Sequence, residues 1–302
     1  MMGRRAWVIL HGKQAQNDEV RAAIQARRGA GWDLAVRLTW EAGDAHRLVR
    51  EGLQAGYGCL VAAGGDGTLN EVASALLELQ GEASLALLPL GSANDFARAA
   101  QIPLEPDAAL ALLESEAIAV DVGVADASLF VNMATGGFGS QVTANTSEDL
   151  KKILGGGAYL LTGLTRFGEV RSAFGRFRGP GFEWEGDFLA MGLGNGRMAG
   201  GGQALCPRAC ITDGLLDLCL IPAPQDVGET LRVLLSGGIL GLESIAVTAR
   251  LPWLEVEAPD GLDLNLDGEP LHNERVRFAV RPGALRLHLP ADSPLLTGDA
   301  TE

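Results

Sequence analysis

No run in this 302-residue sequence approaches the roughly 18 apolar residues that a membrane-crossing helix needs. The N-terminal MMGRRAWVILHGK holds two arginines but an apolar run of only five residues, too short for a signal-peptide core, and it reads as a first strand. Positive charge is scarce too: 24 Lys and Arg stand against 38 Asp and Glu, a formal net charge of −14. Nucleic-acid binding needs a basic face, so the reading is no nucleic-acid partner. The same charge repels anionic membranes at long range, unless a local basic patch reverses it at contact.

Cysteine is sparse, at Cys59, Cys206, Cys210 and Cys219. Cys206 and Cys210 are four apart, but no second Cys or His pair completes a zinc site, and His46, His272 and His288 lack metal-like spacing. Cys59 and Cys219 sit in apolar runs that read as buried strands. The pattern fits reduced thiols in a cytoplasmic protein. Repeats and low-complexity segments are missing. What is present is a folded composition, 47% hydrophobic and 21% charged, with 41 glycines gathered in short clusters. The length suggests two domains.

The first third alternates strand and helix patterns. Ala6–Leu10, Leu34–Thr39, Cys59–Ala63 and Leu85–Leu90 read as strands. Glu19–Ala26, Ala45–Leu53, Leu69–Leu79, Asn94–Ala100 and Pro106–Glu114 read as helices between and after them. That order predicts an α/β domain with a parallel, Rossmann-like sheet covered on both faces. From about Ile118 the texture changes. Runs at Ile118–Val124, Leu129–Ala134, Phe188–Leu193, Leu215–Ile221, Leu254–Val256 and Val276–Val280 alternate with turn residues, as antiparallel, sandwich-like β structure does. Glu148–Arg166 and Val227–Ile239 look helical. The expected division is 1–130 for the α/β domain and 131–302 for a β-rich domain. The last run, Ala284–Leu289, fits either domain.

The strongest local signal is Gly64-Gly65-Asp66-Gly67-Thr68-Leu69-Asn70-Glu71. It follows a buried strand and opens a helix, so turn amides and the helix dipole converge on one point suited to phosphate. The glycines let the backbone approach a bulky anion, and Thr68 is placed to cap the helix. An acid at the centre, Asp66, would repel phosphate unless a cation sits between them, which points to Mg²⁺. The plainer reading is a strand–turn–helix corner. The second signal, Pro89-Leu90-Gly91-Ser92-Ala93-Asn94-Asp95-Phe96-Ala97-Arg98, also joins a strand end to a helix start. Two such loops at one sheet edge define the usual ligand crevice. Ser92 and Asn94 suit either ligand binding or capping, and Asp95 suits an acceptor hydroxyl or the helix dipole. His11 and Lys13 belong to the same edge.

Together these loops resemble the diacylglycerol-kinase catalytic family, with the nearest likeness to bacterial YegS-like lipid kinases. The resemblance extends to Arg37-Leu38-Thr39-Trp40-Glu41 and to 130–139, 194–202 and 213–216. Asn265-Leu266-Asp267-Gly268-Glu269-Pro270 carries it nearly to the C-terminus. It implies an ATP-dependent lipid kinase of phospholipid metabolism. ATP would be bound by Thr39, the turn Gly65, Asp66, Gly67, Thr68, Leu69, Asn70 and Glu71, and Ser92, with Asn94 beside it. It further implies Glu269 as the proton acceptor, acting with Asp66. A second metal position, for Mg²⁺ or Ca²⁺, would use Asp213 with the carbonyls of Cys210 and Leu215. Ser92 departs from the family's usual Thr but keeps the hydroxyl. On the residues alone, LDGEP is an ordinary solvated hairpin, Asp213-Gly214 a common turn, and Arg197 either a phosphate contact or exposed. A kinase of a soluble substrate such as NAD, and a non-catalytic nucleotide- or lipid-binding regulator, are the alternatives. The acceptor lipid and the oligomeric state are not written in the pattern.

Between Lys151 and Arg178 the charge balance reverses. Lys151, Lys152, Arg166, Arg171, Arg176 and Arg178 stand against the single acid Glu169, a local charge of +5, interleaved with apolar and aromatic residues. Such a stretch can dock transiently on an anionic membrane face, or pack as a helix with its charges in water. Charge reversal at Lys151, Lys152, Arg166 and Arg171 is expected to reduce sedimentation with anionic vesicles; unchanged binding would reject the docking reading.

Overall fold

A computed structural model of the chain describes residues 4–137, 172–223 and 246–298. Strands β1 (Arg5–His11), β2 (Asp33–Thr39), β3 (Cys59–Gly64) and β4 (Ser84–Pro89) alternate with helices α1 (Asp18–Gly29), α2 (Asp44–Gln54) and α3 (Asp66–Glu78). The strands pair in parallel in the order β2-β1-β3-β4. Side chains alternate along a strand, so apolar residues at every position give a sheet buried on both faces. Ala6, Val8 and Leu10 pack with Val20 and Ile24 of α1 and with Ala109 and Leu110 of α5 (Pro106–Ala111). Trp7 and Ile9 face the other way, against Leu48 and Val49 of α2 and Val72 and Leu76 of α3. Asn17 caps α1 by accepting the amides of Glu19 and Val20, and Arg27 and Arg28 in the last turn complement the helix dipole.

The rest of the described chain is mainly antiparallel. It comprises β5 (Ile118–Ala125), β6 (Ser128–Phe130), β7 (Met133–Gly137), β8 (Ala173–Gly179) and β9 (Phe182–Gly194). The short pair β10 (Met198–Ala199) and β11 (Gln203–Ala204) precedes β12 (Leu216–Pro222), β13 (Val247–Leu251), β14 (Trp253–Leu266) and β15 (Glu269–Leu287). Phe130, Phe177, Phe188 and Phe278 fill the core of this part. Phe177 and Phe188 meet edge-on with centroids 5.2 Å apart, a geometry that the ring quadrupoles favour.

Three elements differ from the sequence reading. The run 129–134 is not one strand: it breaks between β6 and β7, because the amides of Val131, Asn132 and Met133 turn to the carboxylate of Asp267 instead of a partner strand. The runs 276–280 and 284–289 belong largely to one strand, β15, which pairs with β14, then β5, and finally in parallel with β4 through Leu287 and Leu85. Pro282, which has no amide to donate, and Gly283, at φ 58°, make a bulge within it, and Asp121 accepts the Gly283 amide at 2.8 Å. Leu285, Leu287 and Leu289 thereby enter the core of the parallel sheet. The helices expected over 148–166 and 227–239, and the basic stretch from Lys151 to Arg171, lie outside the described residues. Arg176 and Arg178 are on β8, where Arg176 pairs with Glu185 at 3.1 Å. Among the described residues no helix is long and apolar enough to cross a membrane.

His288 follows β15 and is buried at the seam between β3 and β4. Its Nδ1 lies 3.0 Å from the Ser115 carbonyl, and its Nε2 lies 2.9 Å from the Ser84 hydroxyl. Burial lowers its pKa from the usual 6.5. Below that value the unfolded chain takes up a proton that the folded chain resists, so this residue's contribution to stability is lost as pH falls. Urea denaturation from about pH 7.5 to about pH 5.5 is expected to show a shallower loss of stability for His288→Asn than for the native chain. Equal slopes would remove His288 as the cause.

Candidate active site

In the order β2-β1-β3-β4 the chain progresses one way from β1 to β2 and the other way from β1 to β3. Ligand crevices open beyond the carboxyl ends of the strands at such a reversal. The loops 11–14, 64–68 and 89–95 all lie at this edge. They are bound to one another: Leu90 donates its amide to the Gly64 carbonyl at 2.7 Å, and Gln14 Nε2 donates to the Leu90 carbonyl at 2.9 Å. A Cβ on Gly91 would stand 2.6 Å from the Cα of Gly65, so the two glycine bends touch only because neither has a side chain. Asp66 completes the junction. Its two carboxylate oxygens accept the amides of Asp95, at 3.1 Å, and Phe96, at 2.9 Å, at the start of α4 (Asp95–Ala99). Gly12 is pressed against the carbonyl of Thr39, which ends β2, and Asp44 accepts the next two amides, of Trp40 and Glu41. Its ion pair with Arg47, helped by those amides, holds the Asp44 carboxyl down at about 2.

The octet's residues divide by role. Helix α3 begins at Asp66 with Gly65 at the cap position, three residues before Thr68, and the first-turn amides have no partner within the helix. Thr68 is buried with its hydroxyl over Gly64, so it packs the turn and does not cap the helix. Leu69 is a core side chain, and Asn70 is buried with its Oδ1 unpartnered. Only backbone from Leu69 can therefore meet a ligand. Ser92 is exposed on its loop. Asn94, in the left-handed region at φ 52°, spends its amide group on Gly91, accepting from the nitrogen at 2.9 Å and donating to the oxygen at 2.8 Å. It braces the loop through both ends of its carboxamide.

The second lobe closes onto this edge through two further carboxylates. Asp267, at φ 53° in the LDGEP turn, accepts the amides of Val131, Asn132 and Met133 at 2.6, 3.0 and 2.8 Å. Its carboxylate is enclosed beneath these amides, and that burial, with the charge of Asp66, pushes its pKa up to about 7 against their pull. The Asp267 carbonyl lies over Gly67, where a Cβ would be 3.8 Å away. Glu269, two residues on, is exposed. Glu71 has its pKa raised by burial and then by the charge of Glu269, while His11 pulls it down. The LDGEP turn therefore stands over the GGDGT turn. Asp95 is the other link, accepting the amides of Gly201 and Gly202 at 3.0 and 2.6 Å. Gly200, Gly201 and Gly202 all have positive φ, which that tight turn requires. Burial, then the charge of Asp66, raises the Asp95 pKa against the pull of its amides. Between the loop at 92–93 and the turn at 198–202 lies a cleft of about 410 Å³ that Arg98 also lines.

The amino-acid sequence matches the family model described as the diacylglycerol kinase catalytic domain over residues 5–125. Residues 133–289 match that described as the YegS C-terminal NAD kinase beta sandwich-like domain. A protein of Pseudomonas aeruginosa named a probable lipid kinase YegS-like is 68% identical over 289 residues, covering 96% of this chain and 95% of that one. One of Pseudomonas fluorescens with the same name is 63% identical, with 99% of each covered. The chain belongs to the YegS-like lipid kinase family. Its fold also matches a crystal structure of a diacylglycerol kinase from Bacillus anthracis, with TM-score 0.75, 19% identity, and 97% of this chain and 99% of that one covered.

As a member of the YegS-like lipid kinase family, the chain needs a site for nucleotide phosphates and a divalent ion. Asp66 bears electrostatically on both Asp95 and Asp267, and a cation would relieve that repulsion. Among the described residues no three His, Cys, Asp or Glu side chains close on a metal cluster. At the second expected position, Asp213 accepts the Leu215 amide and forms an ion pair with Arg250, which also holds Asp217 at 3.2 Å. Cys210 is a buried thiol 3.3 Å from the Thr212 hydroxyl. The guanidinium thus supplies positive charge where an ion was expected. Arg197 is buried, donating to the carbonyls of Ala209, Pro294 and Thr297, so it staples the C-terminal segment.

Asp267→Ala leaves three amides without their acceptor and puts a Cβ-only side chain at positive φ. It is expected to lower the unfolding free energy by roughly 2–5 kcal/mol in urea denaturation, with Asp267→Asn losing less because one oxygen still accepts. A loss below about 1 kcal/mol for the alanine variant would show that the turn does not depend on these bonds.

Proposed function

We propose that the chain transfers the terminal phosphoryl group of ATP to a hydroxyl of a lipid head group, with diacylglycerol and phosphatidylglycerol as candidate acceptors. The observation that carries this reading is the LDGEP turn standing over the GGDGT turn, which brings an exposed carboxylate beside a glycine bend at a helix start. Phosphate oxygens are received by the amides of Gly65, Gly67 and Thr68, where the helix dipole favours an anion. Thr39 and Ser92 flank the nucleotide, and Glu71 borders it. Asp66 would hold Mg²⁺, an ion that would offset charge on the transferred phosphoryl group. Glu269 accepts the proton of the attacking hydroxyl; it is exposed, and among the described residues its carboxylate takes part in no hydrogen bond that would have to break first. At Asp213, with the carbonyls of Cys210 and Leu215, a second Mg²⁺ or Ca²⁺ ion would compete with Arg250. In this reading residues 1–130 serve the nucleotide and 131–302 the lipid. The protein works in the cytoplasm and visits the membrane face transiently.

Phosphoryl transfer depends chiefly on positioning and charge neutralisation, so Asp66 should matter at least as much as the base. Asp66→Asn keeps one oxygen for the α4 amides and is a cleaner test than alanine. Labelled phosphate from ATP is expected to enter a total lipid extract and not NAD. Glu269→Gln should lower kcat by about 10²–10⁴-fold with an unchanged melting temperature. Label in NAD alone, or a Glu269→Gln rate within a few-fold of the native one, would defeat the reading.

A further inference from the structure

Arg98 closes the PLGSANDFAR segment, and the reading above gives it no task. It lies in the last turn of α4, three residues after Asp95, and its side chain is exposed to the cleft. Its Nε donates to the Ala93 carbonyl at 2.9 Å, which fixes the arm to the same loop that carries Ser92. Among the described residues no carboxylate or carbonyl accepts from its Nη1 or Nη2. Four N–H donors are therefore left for whatever enters.

The other groups lining the cleft narrow what that is. Ala93 and Met198 are apolar, and the amides of Gly201 and Gly202 already donate to Asp95. Ser92, with its hydroxyl, and Arg98, with its guanidinium, are the lining residues that carry polar side chains. The wall behind them is acidic, since Asp66 and Asp95 repel each other there and Arg98 is the charge that eases Asp95. An anion entering this cleft without a cation of the protein would be repelled. A planar guanidinium with two free edges matches the oxygens of a phosphate group in a forked pair of hydrogen bonds.

We infer that Arg98, with Ser92, binds a phosphate oxyanion in the cleft between the 92–93 loop and the 198–202 turn. This rests on the kinase reading for the source of that phosphate: either the nucleotide's own chain or a phosphodiester in the acceptor head group. The two share one chemistry and separate on measurement.

The test uses the full chain with Arg98→Ala and Arg98→Lys. ADP is titrated calorimetrically, and transfer from ATP is assayed in mixed micelles of phosphatidylglycerol or of diacylglycerol, which has no phosphate. A nucleotide source predicts that Arg98→Ala weakens ADP roughly tenfold to a hundredfold and raises the KM for ATP alike with either lipid. A lipid source predicts unchanged ADP affinity and a KM raised for phosphatidylglycerol but not for diacylglycerol. In either case Arg98→Lys, which keeps the charge and loses the fork, should recover part of the loss. ADP affinity and both lipid KM values within about twofold of native would overturn the inference, including when kcat or melting temperature falls, since a brace for Ala93 alone would do that. If the native chain labels no lipid, the kinase reading fails by itself, and the ADP titration still decides for or against Arg98.

Discussion

Two backbone amides at the start of α4 donate to Asp66, and the remainder of the cleft is set out from that contact. It fixes the second glycine bend against the first, and so places Ser92, Asp95 and Arg98 relative to the opening turn of α3. Asp95 repeats the device across the lobes by accepting amides of the second half, and Asp267 repeats it within the second half. Bonds between a carboxylate and backbone amides are short and charge-assisted, and they demand less ordering of long flexible side chains than Arg–carboxylate pairs would. Their cost is electrostatic. Burial and mutual repulsion raise the proton affinity of Asp95 and bring Asp267 to about 7. A framework made of partly desolvated acids is ready for a cation at its centre, and that is what phosphoryl transfer brings with the nucleotide.

Much of the first lobe was legible because its rules are local. An apolar run of strand length ending in Gly-Gly, followed by an amphipathic stretch, can hardly be anything but a buried parallel strand and its helix, and β3 and α3 have that form. The two glycine loops were legible for the same reason. The bonds that assemble them were not. Asp66 reaches residues 29 and 30 positions away, Asp95 reaches 106 and 107, and Asp267 reaches 134 to 136, and none of these spans leaves a periodic trace. The same blindness split β15 in two, since Pro282-Gly283 looks like a terminator until Asp121 is seen accepting the Gly283 amide. Thr68 was read as a cap in the nucleotide turn, and Asn94 as a cap or a ligand contact, because both types cap and bind readily. Close packing around Gly91 and Gly64 turned them inward.

The arginines of the site region show how little residue type alone decides. Arg197, in a glycine-rich loop where a phosphate contact was an even match, is buried and holds three carbonyls. Arg250, which carried no signal, neutralises Asp213 and Asp217. Burial separates the first from the cleft, and ion pairing removes the second. Arg98 alone of these three combines exposure, a fixed arm and a lined space.

Strand β15 begins at Glu269, beside the glycine turn, and ends with Leu285 and Leu287 in the core of the parallel sheet. The outer edge of β4 is therefore covered by residues synthesised some two hundred positions later. The first half, although it looks like a self-sufficient nucleotide module, has to wait with an open apolar seam until the second half arrives. Loss of either half should thus be felt as collapse of both, and the lobes are to be regarded as one cooperative unit in folding.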